Sequence, residues 1–206
     1  MYLASICTNS DHFHWLEPAK WLYYKLLDGD LASNHLSWQW VCGSFSSKKY
    51  FANQDNLNKY FNSKQKDTFL DVEYSEFEDL KVPEILKESQ QLDLKTTLPN
   101  LPKPDLENKK TLIFNYYNLD FKWHKDEDYQ KGFLLEPSVF EKFPVSEKCI
   151  NFALKLSENI PNIKIYIGEF SDLTSKISVE NINNKQHPLN FHYKGISEKT
   201  DNLFKI

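Results

Sequence analysis

The sequence predicts an α+β chain in which an all-α first part is followed by a small α/β three-layer unit with a mainly parallel sheet. Three observations carry this. Apolar residues recur at helical spacing through the first 43 residues, with four of the five tryptophans among them. Residues 91–110 then break the pattern with Pro99, Pro102 and Pro104 among Lys95, Lys103, Lys109 and Lys110, which read as an extended linker. Beyond it, short apolar runs alternate with an amphipathic stretch, the signature of strands and helices in layers. The expected organisation is therefore 1–90 helical, 91–110 linker and 111–206 α/β.

Residues 1–8 read as part of a helix with Leu3, Ala4 and Cys7 on one side, starting in mid-element without a cap. Pro18 suits the first turn of a second helix, whose period is carried by Trp21, Leu22, Lys25 and Leu26. Asp28-Gly29 is a turn signal, and a third helix follows to about Gly43. Residues 44–90 mix helix and loop. In the second half, 112–117 is a strand by composition, and Phe133-Leu134-Leu135 is a second apolar run closed by Pro137. Residues 145–159 form an amphipathic helix with Cys149, Phe152, Ala153 and Leu156 at helical spacing. Ile163 to Ile167 is a strand ending at Gly168.

Forty per cent hydrophobic and 15% aromatic residues can build a core. A net charge of −4 argues against a generally basic nucleic-acid binder, although a local basic patch is compatible with it. All 25 basic residues are lysine, so bidentate guanidinium recognition of phosphate or carboxylate is impossible within this chain. Cys7, Cys42 and Cys149 are odd in number and widely spaced, which fits free thiols in a reducing cytoplasm better than disulfides or zinc. No stretch is apolar enough to span a membrane, and no secretory signal is evident. His12 and His14 read as a surface pair. His187 and His192 sit in a polar loop with no cysteine or carboxylate set near them in sequence. Lys125 to Asp128 reads as a solvated turn, and Trp21 and Trp123 as packing residues.

The segment Asp28-Gly-Asp-Leu-Ala-Ser-Asn-His-Leu-Ser-Trp-Gln-Trp40 is the most informative in the chain. If Leu31 opens a helix, Asp30, Asn34 and Trp38 fall on one face. Such a face offers acceptors, an amide and a large π-system to a flat, polar-edged ligand. N-capping accounts for Asp30 alone.

This run resembles the flavin-contacting segment of the DNA photolyase and cryptochrome family, whose pattern there is Asp-Gly-Asp-x-Ala-x-Asn-x-x-x-Trp-Gln-Trp. The likeness extends upstream through Trp15 to the Met1, Ala4 and Ser5 of a Met-x-x-Ala-Ser helix. It fades downstream through Tyr50, Asn53 and Tyr60 to Leu80 and Val82-Pro83. The resemblance implies FAD as cofactor, with Asn34 facing the flavin N5 and Asp28 and Asp30 holding the ring and ribityl edges. It implies Trp38 as the electron donor nearest the flavin, Trp15 as the next relay, and Trp40 and Met1 on the groove that receives a flipped base. The family's remaining contacts to phosphate and adenine come from earlier helices, which implies an upstream chain that completes the flavin domain. The second half is distantly similar to the family's antenna-type α/β domain through Asn118-Leu119-Asp120, Glu136-Pro137 and Gly168-Glu169, in reversed domain order.

The activity implied is light-driven repair of pyrimidine dimers in damaged DNA, the reaction of a deoxyribodipyrimidine photo-lyase. The alternatives are a cryptochrome-like light sensor that does not repair DNA, or a truncated remnant that no longer binds FAD. Lysine-rich groove walls near Lys48 and Lys49 would favour repair.

Overall fold

The computed structural model of the chain describes residues 1–10, 13–45, 47–88 and 90–199. The chain divides into two compact units, Met1–Leu94 and Lys95–Ile206.

The first unit is helical. Helix α1 (Tyr2–Ser5) runs directly into a π-helical turn, Ile6–Ser10. Ala4 is buried and Cys7 half-buried, but Leu3 is exposed, so the expected apolar side is only partly realised. The wider π-turn carries Thr8, Asn9 and Ser10, all buried. The Asn9 amide donates to the carbonyls of Val41 (3.1 Å) and Tyr50 (2.8 Å), and Ser5 Oγ accepts from the amide of Ala52 at 2.9 Å. Three short polar bonds thus fasten the start of the chain to the 41–52 region.

Helix α2 (Leu16–Lys25) has Glu17 in its first turn and Lys25 in its last, both favourable to the helix dipole. Helix α3 (Leu31–Val41) starts because Asp30 caps it, its carboxylate accepting from the Ser33 amide at 2.7 Å. Helix α4 (Gln54–Phe61) is capped in the same way by Asn53 and stopped by Asn62 in the left-handed region at φ 51°. A 3₁₀ segment (Tyr74–Asp79) and the single turn α5 (Glu84–Lys87) complete the unit. Its core is a cluster of Ala4, Ala19, Trp38 and Val41, against which Cys7, Trp15, Leu22 and Tyr50 pack. Ala19 has no exposed surface, and its small side chain lets α2 and α3 approach closely.

The second unit is α/β. Residues 95–110 form no regular element. They are held by Thr96, whose hydroxyl accepts from the Val145 amide (2.8 Å) and donates to its carbonyl (2.9 Å), and by Leu106, which is buried. Strand β1 (Thr111–Phe114), β2 (Gln130–Leu135), β3 (Ile163–Ile167), β4 (Ile182–Lys185) and β5 (Ile196–Glu198) form one sheet in the order β3-β2-β1-β4-β5, with every pairing parallel. The connections hold helices α6 (Pro137–Lys142), α7 (Glu147–Ser157) and α8 (Phe170–Thr174). Pro137, expected only to close a strand, is also the first residue of α6, where its missing N–H costs nothing. Ile113, Leu134, Tyr166 and Ile182 share one face of the sheet and pack with Phe170, Leu173 and Ile177.

Two sequence expectations need correction. The amphipathic helix is shorter than 145–159, and its buried stripe is Cys149, Ile150, Ala153 and Ser157. The stripe is rotated toward Ile150 and Ser157, which leaves Phe152 and Leu156 exposed at its border. The sheet also has two strands beyond those expected. Strand β4 reads Ile-Asn-Asn-Lys, which has poor strand propensity, yet all four residues are buried. Its asparagines are partnered in part across the ladder: Asn184 Oδ1 accepts from Ser197 (3.0 Å), and the Asn183 amide reaches Glu198 at 3.4 Å, while Asn184 Nδ2 is buried with no hydrogen-bond partner.

Candidate functional site

The turn at Asp28-Gly29 and the Asp30 cap set the start of α3, and this fixes which of its side chains face α2. Asn34 and Trp38 are one turn apart on that face and both are buried. Trp38 lies in the core cluster. Asn34 donates from Nδ2 to the Ala19 carbonyl of α2 at 2.8 Å. Because only an N–H can face that carbonyl, the amide has one orientation, and its Oδ1 is the atom left to accept from elsewhere.

Asn34, Trp38, Asp28 and Asp30 line one cleft of 340 Å³ together with Ser33 and Ser37. Met1, Leu3, Ala4, Leu22 and Leu26 supply its apolar surface. Asp28 is exposed and Asp30 half-buried, so the carboxylates form the rim while the amide and indole lie deeper. Among the described residues, no lysine or histidine lines the cleft. The size falls within the range of small-molecule sites. The chemistry suits a flat, neutral ring system whose edge carries N–H donors, and offers nothing to neutralise a phosphate.

A larger groove of 770 Å³ lies in the same unit, lined by Lys48, Lys49, Tyr50, Tyr2, Phe77 and Glu78 among others. Met1 borders both hollows. Trp40 is 39% exposed and stacks on Tyr50, one of the groove residues, with ring centroids 4.0 Å apart. Trp15 is half-buried, packs against the cluster that holds Trp38, and meets His35 edge-on at 5.9 Å. His35 Nδ1 lies 2.9 Å from the Leu31 carbonyl, and burial holds its pKa below the ordinary imidazole value. Trp15 therefore has a neutral ring beside it near pH 7. Trp21 is exposed and Trp123 buried. His14 is exposed, whereas His12 lies outside the described residues.

Sequence reasoning missed the clamp role of Asn9, for which the only signal is an asparagine inside an otherwise helical pattern. It also missed the surroundings of His192. A carboxylate does face that ring: Glu136, 4% exposed at the end of β2, lies 2.9 Å from His192 Nε2. Glu136 also accepts from the Tyr193 hydroxyl (2.8 Å) and the Phe170 amide (3.0 Å). Burial, then the charge and hydrogen bond of Glu136, push the Tyr193 phenol well above its ordinary pKa. The carboxylate is far away in sequence, which is why local reading did not find it. His187 stacks on Tyr117 at 4.2 Å and accepts at Nδ1 from the Leu189 amide.

The cleft thus combines an acidic rim, one oriented amide and a buried indole. Residues 1–101, just under half of the chain, match the family described as the FAD binding domain of DNA photolyase. A curated relative, Deoxyribodipyrimidine photo-lyase of Streptomyces griseus, is 43% identical over 44 residues, which are 21% of this chain and 10% of that protein. The matched stretch thus spans a tenth of the relative's length. No solved structure matches the chain. Among the described residues, no helix is long and apolar enough to cross a membrane.

Proposed function

We propose that the helical unit forms the ring-facing wall of an FAD site in a photolyase-like flavoprotein that repairs pyrimidine dimers in DNA. The observation that carries this reading is the position of Met1 on the border of both the ring-sized cleft and the lysine-walled groove. A base seated in the groove would be a methionine side chain away from a ring seated in the cleft. FAD, when bound, supplies light-driven one-electron donation.

The chain's own residues have separable tasks. Asn34 presents Oδ1 to a ring N–H, because Ala19 occupies its amide nitrogen. Asp28 and Asp30 accept from donors at the ring and sugar edges. Trp38 is oxidisable, buried and on the wall of the cleft, so it serves as the nearest electron source, with Trp15 behind it. Lys48 and Lys49 attract the phosphates of damaged DNA to the groove, and the Trp40–Tyr50 stack offers an aromatic surface to an unstacked base. The cation-free cleft accounts for the ring end of FAD only. The pyrophosphate and adenine need a further helical segment, on the same polypeptide or a partner.

The test is FAD titration of the purified chain, alone and mixed with a polypeptide carrying the family's other FAD-binding helices. The chain alone should bind FAD weakly, and the mixture should retain it through gel filtration. In the mixture, Trp38→Phe should keep FAD bound but slow its photoreduction, since a phenyl ring is far harder to oxidise than indole. Stoichiometric FAD on the lone chain would refute the division of the site, and wild-type photoreduction in Trp38→Phe would refute the role of Trp38.

A further inference from the structure

The α/β unit contains a charged cluster that the flavin reading does not use. His124 sits in the turn between β1 and β2 at φ 45°. Its Nδ1 lies 2.5 Å from Glu127 Oε1 and its Nε2 lies 2.8 Å from Glu198 Oε1. A neutral imidazole carries one N–H, so two hydrogen bonds to two carboxylates require the doubly protonated ring. Glu198 is the last residue of the edge strand β5. Its other oxygen accepts from the Trp123 indole N–H at 2.9 Å, and the Asn183 amide reaches Oε1 at 3.4 Å. One carboxylate therefore joins β5 to the 120–129 turn, and one imidazolium joins that turn to itself and to the strand.

We propose that His124 is a proton-operated latch that holds edge strand β5 on the sheet and releases it when the ring loses its second proton. The charged and titratable groups around the ring are consistent with this. Glu127 and Glu198 face it directly, and the Tyr129 ring lies 5.3 Å away. Behind Trp123, Lys185 is paired with Asp120 at 3.2 Å and sits over the indole at 5.7 Å, so that cation is already compensated. Burial opposes the charge on His124, but the hydrogen bonds and charges of Glu127 and Glu198 outweigh it, and the pKa is raised above 6.5. Burial likewise opposes the charge on Glu198, and the bonds from Trp123, His124 and Asn183 outweigh it, so its pKa is lowered below 4.5.

The signs define a window. The His124 contribution is complete below the unfolded value of 6.5 and is lost as pH rises through the raised folded pKa. The Glu198 contribution is complete above 4.5 and is lost as pH falls through its lowered folded pKa. The latch is closed between these two folded values, a range that includes the whole interval from 4.5 to 6.5.

The test is hydrogen exchange by NMR on the full chain, read as protection factors so that the intrinsic pH trend is removed, alongside the His124 ring titration. From about pH 6 to about pH 9.5, protection of the β4–β5 amides, including Gln186 bonded to the Glu198 carbonyl, should fall by about tenfold for each unit by which the His124 ring titrates above 6.5, with the midpoint of the ring titration marking where the fall levels off. Protection of β1 should not change. In Glu127→Gln the midpoint should move to lower pH, and in His124→Gln the pH dependence should vanish. If His124 titrates at or below 6.5, or if β5 protection is flat while the ring titrates, the proposal is overturned. Should His124→Gln fail to fold, the midpoint shift in Glu127→Gln decides.

Discussion

Replacing Asn34 by aspartate changes one NH₂ into an oxygen and nothing else in size. In the native chain that nitrogen donates to the Ala19 carbonyl at 2.8 Å, at a position 9% exposed. An ionised carboxylate in its place would set an oxygen against a carbonyl oxygen across the α2–α3 contact. Loss of the bond with a buried acceptor unpaired costs about 1–3 kcal/mol, and burial of the charge adds to it. The cost has a ceiling, because a protonated carboxyl could restore the bond. With an unfolded pKa of about 3.9, that ceiling is about 4 kcal/mol at pH 7 and about 1.5 kcal/mol at pH 5. Asn34→Asp should therefore lose about 2–4 kcal/mol at pH 7, and much of the loss should disappear at pH 5. The folded pKa of the new carboxyl is raised, so stability falls as pH rises through that value. Urea unfolding followed by tryptophan fluorescence suits the measurement, since Trp15, Trp21, Trp38 and Trp40 all lie in the affected unit and only Trp123 lies outside it. A loss under about 0.5 kcal/mol at pH 7, or one of equal size at both pH values, would refute the fixed orientation of the amide. The proposed presentation of Oδ1 to a ring N–H would fall with it.

Other perturbations probe other parts of the chain. Gly195 precedes β5 at φ 113°, and a Cβ there would collide with the Ile182 carbonyl oxygen. Gly195→Ala should cost at least about 1–3 kcal/mol and expose the β4–β5 amides to exchange, and unchanged protection would show that the turn tolerates a side chain. Trypsin should cut first between residues 81 and 95, because Thr96 and Leu106 fasten the chain beyond that point. A first cut after Lys25 or Lys48, the lysines that flank Leu31–Val41, would instead mean that this helix is not stably folded.

That Asp30, Asn34 and Trp38 come together at one cleft was legible because they lie close together at the start of one helix and along it. Turn, cap, amide and indole follow at spacings that local rules interpret, and Asp30, Asn34 and Trp38 share the face that the 3.6-residue period assigns them. The parallel sheet was legible only as far as its apolar strands. Strand β4 was hidden because its asparagines resemble a loop until their partners on β5 are known. The π-turn at Ile6–Ser10 was hidden because periodicity arguments assume an α-helix. The Glu136 and His124 clusters join residues distant in sequence, and a single sequence holds no signal for such pairings. The exposure of Phe152 and Leu156 shows the remaining gap: periodicity finds a stripe but not how far the helix is rotated.

The order β3-β2-β1-β4-β5 also governs how the second unit can assemble. Strand β1 finds β2 soon after it along the chain, and β3 can then join β2 through α6 and α7. The other side of β1, the fully buried Thr111–Phe114, has no partner until Ile182–Lys185 arrives from far downstream. Until then an apolar strand edge is open, the kind of edge that pairs with other chains. Closing so long a loop is slow, and a wholly parallel sheet has no hairpin to hasten it. During synthesis β1, β2 and β3 all emerge before β4, so any sheet that forms at that stage has the β4 side of β1 uncovered. The polar Asn-Asn pair of β4 is the piece that seals it, late and from a distance.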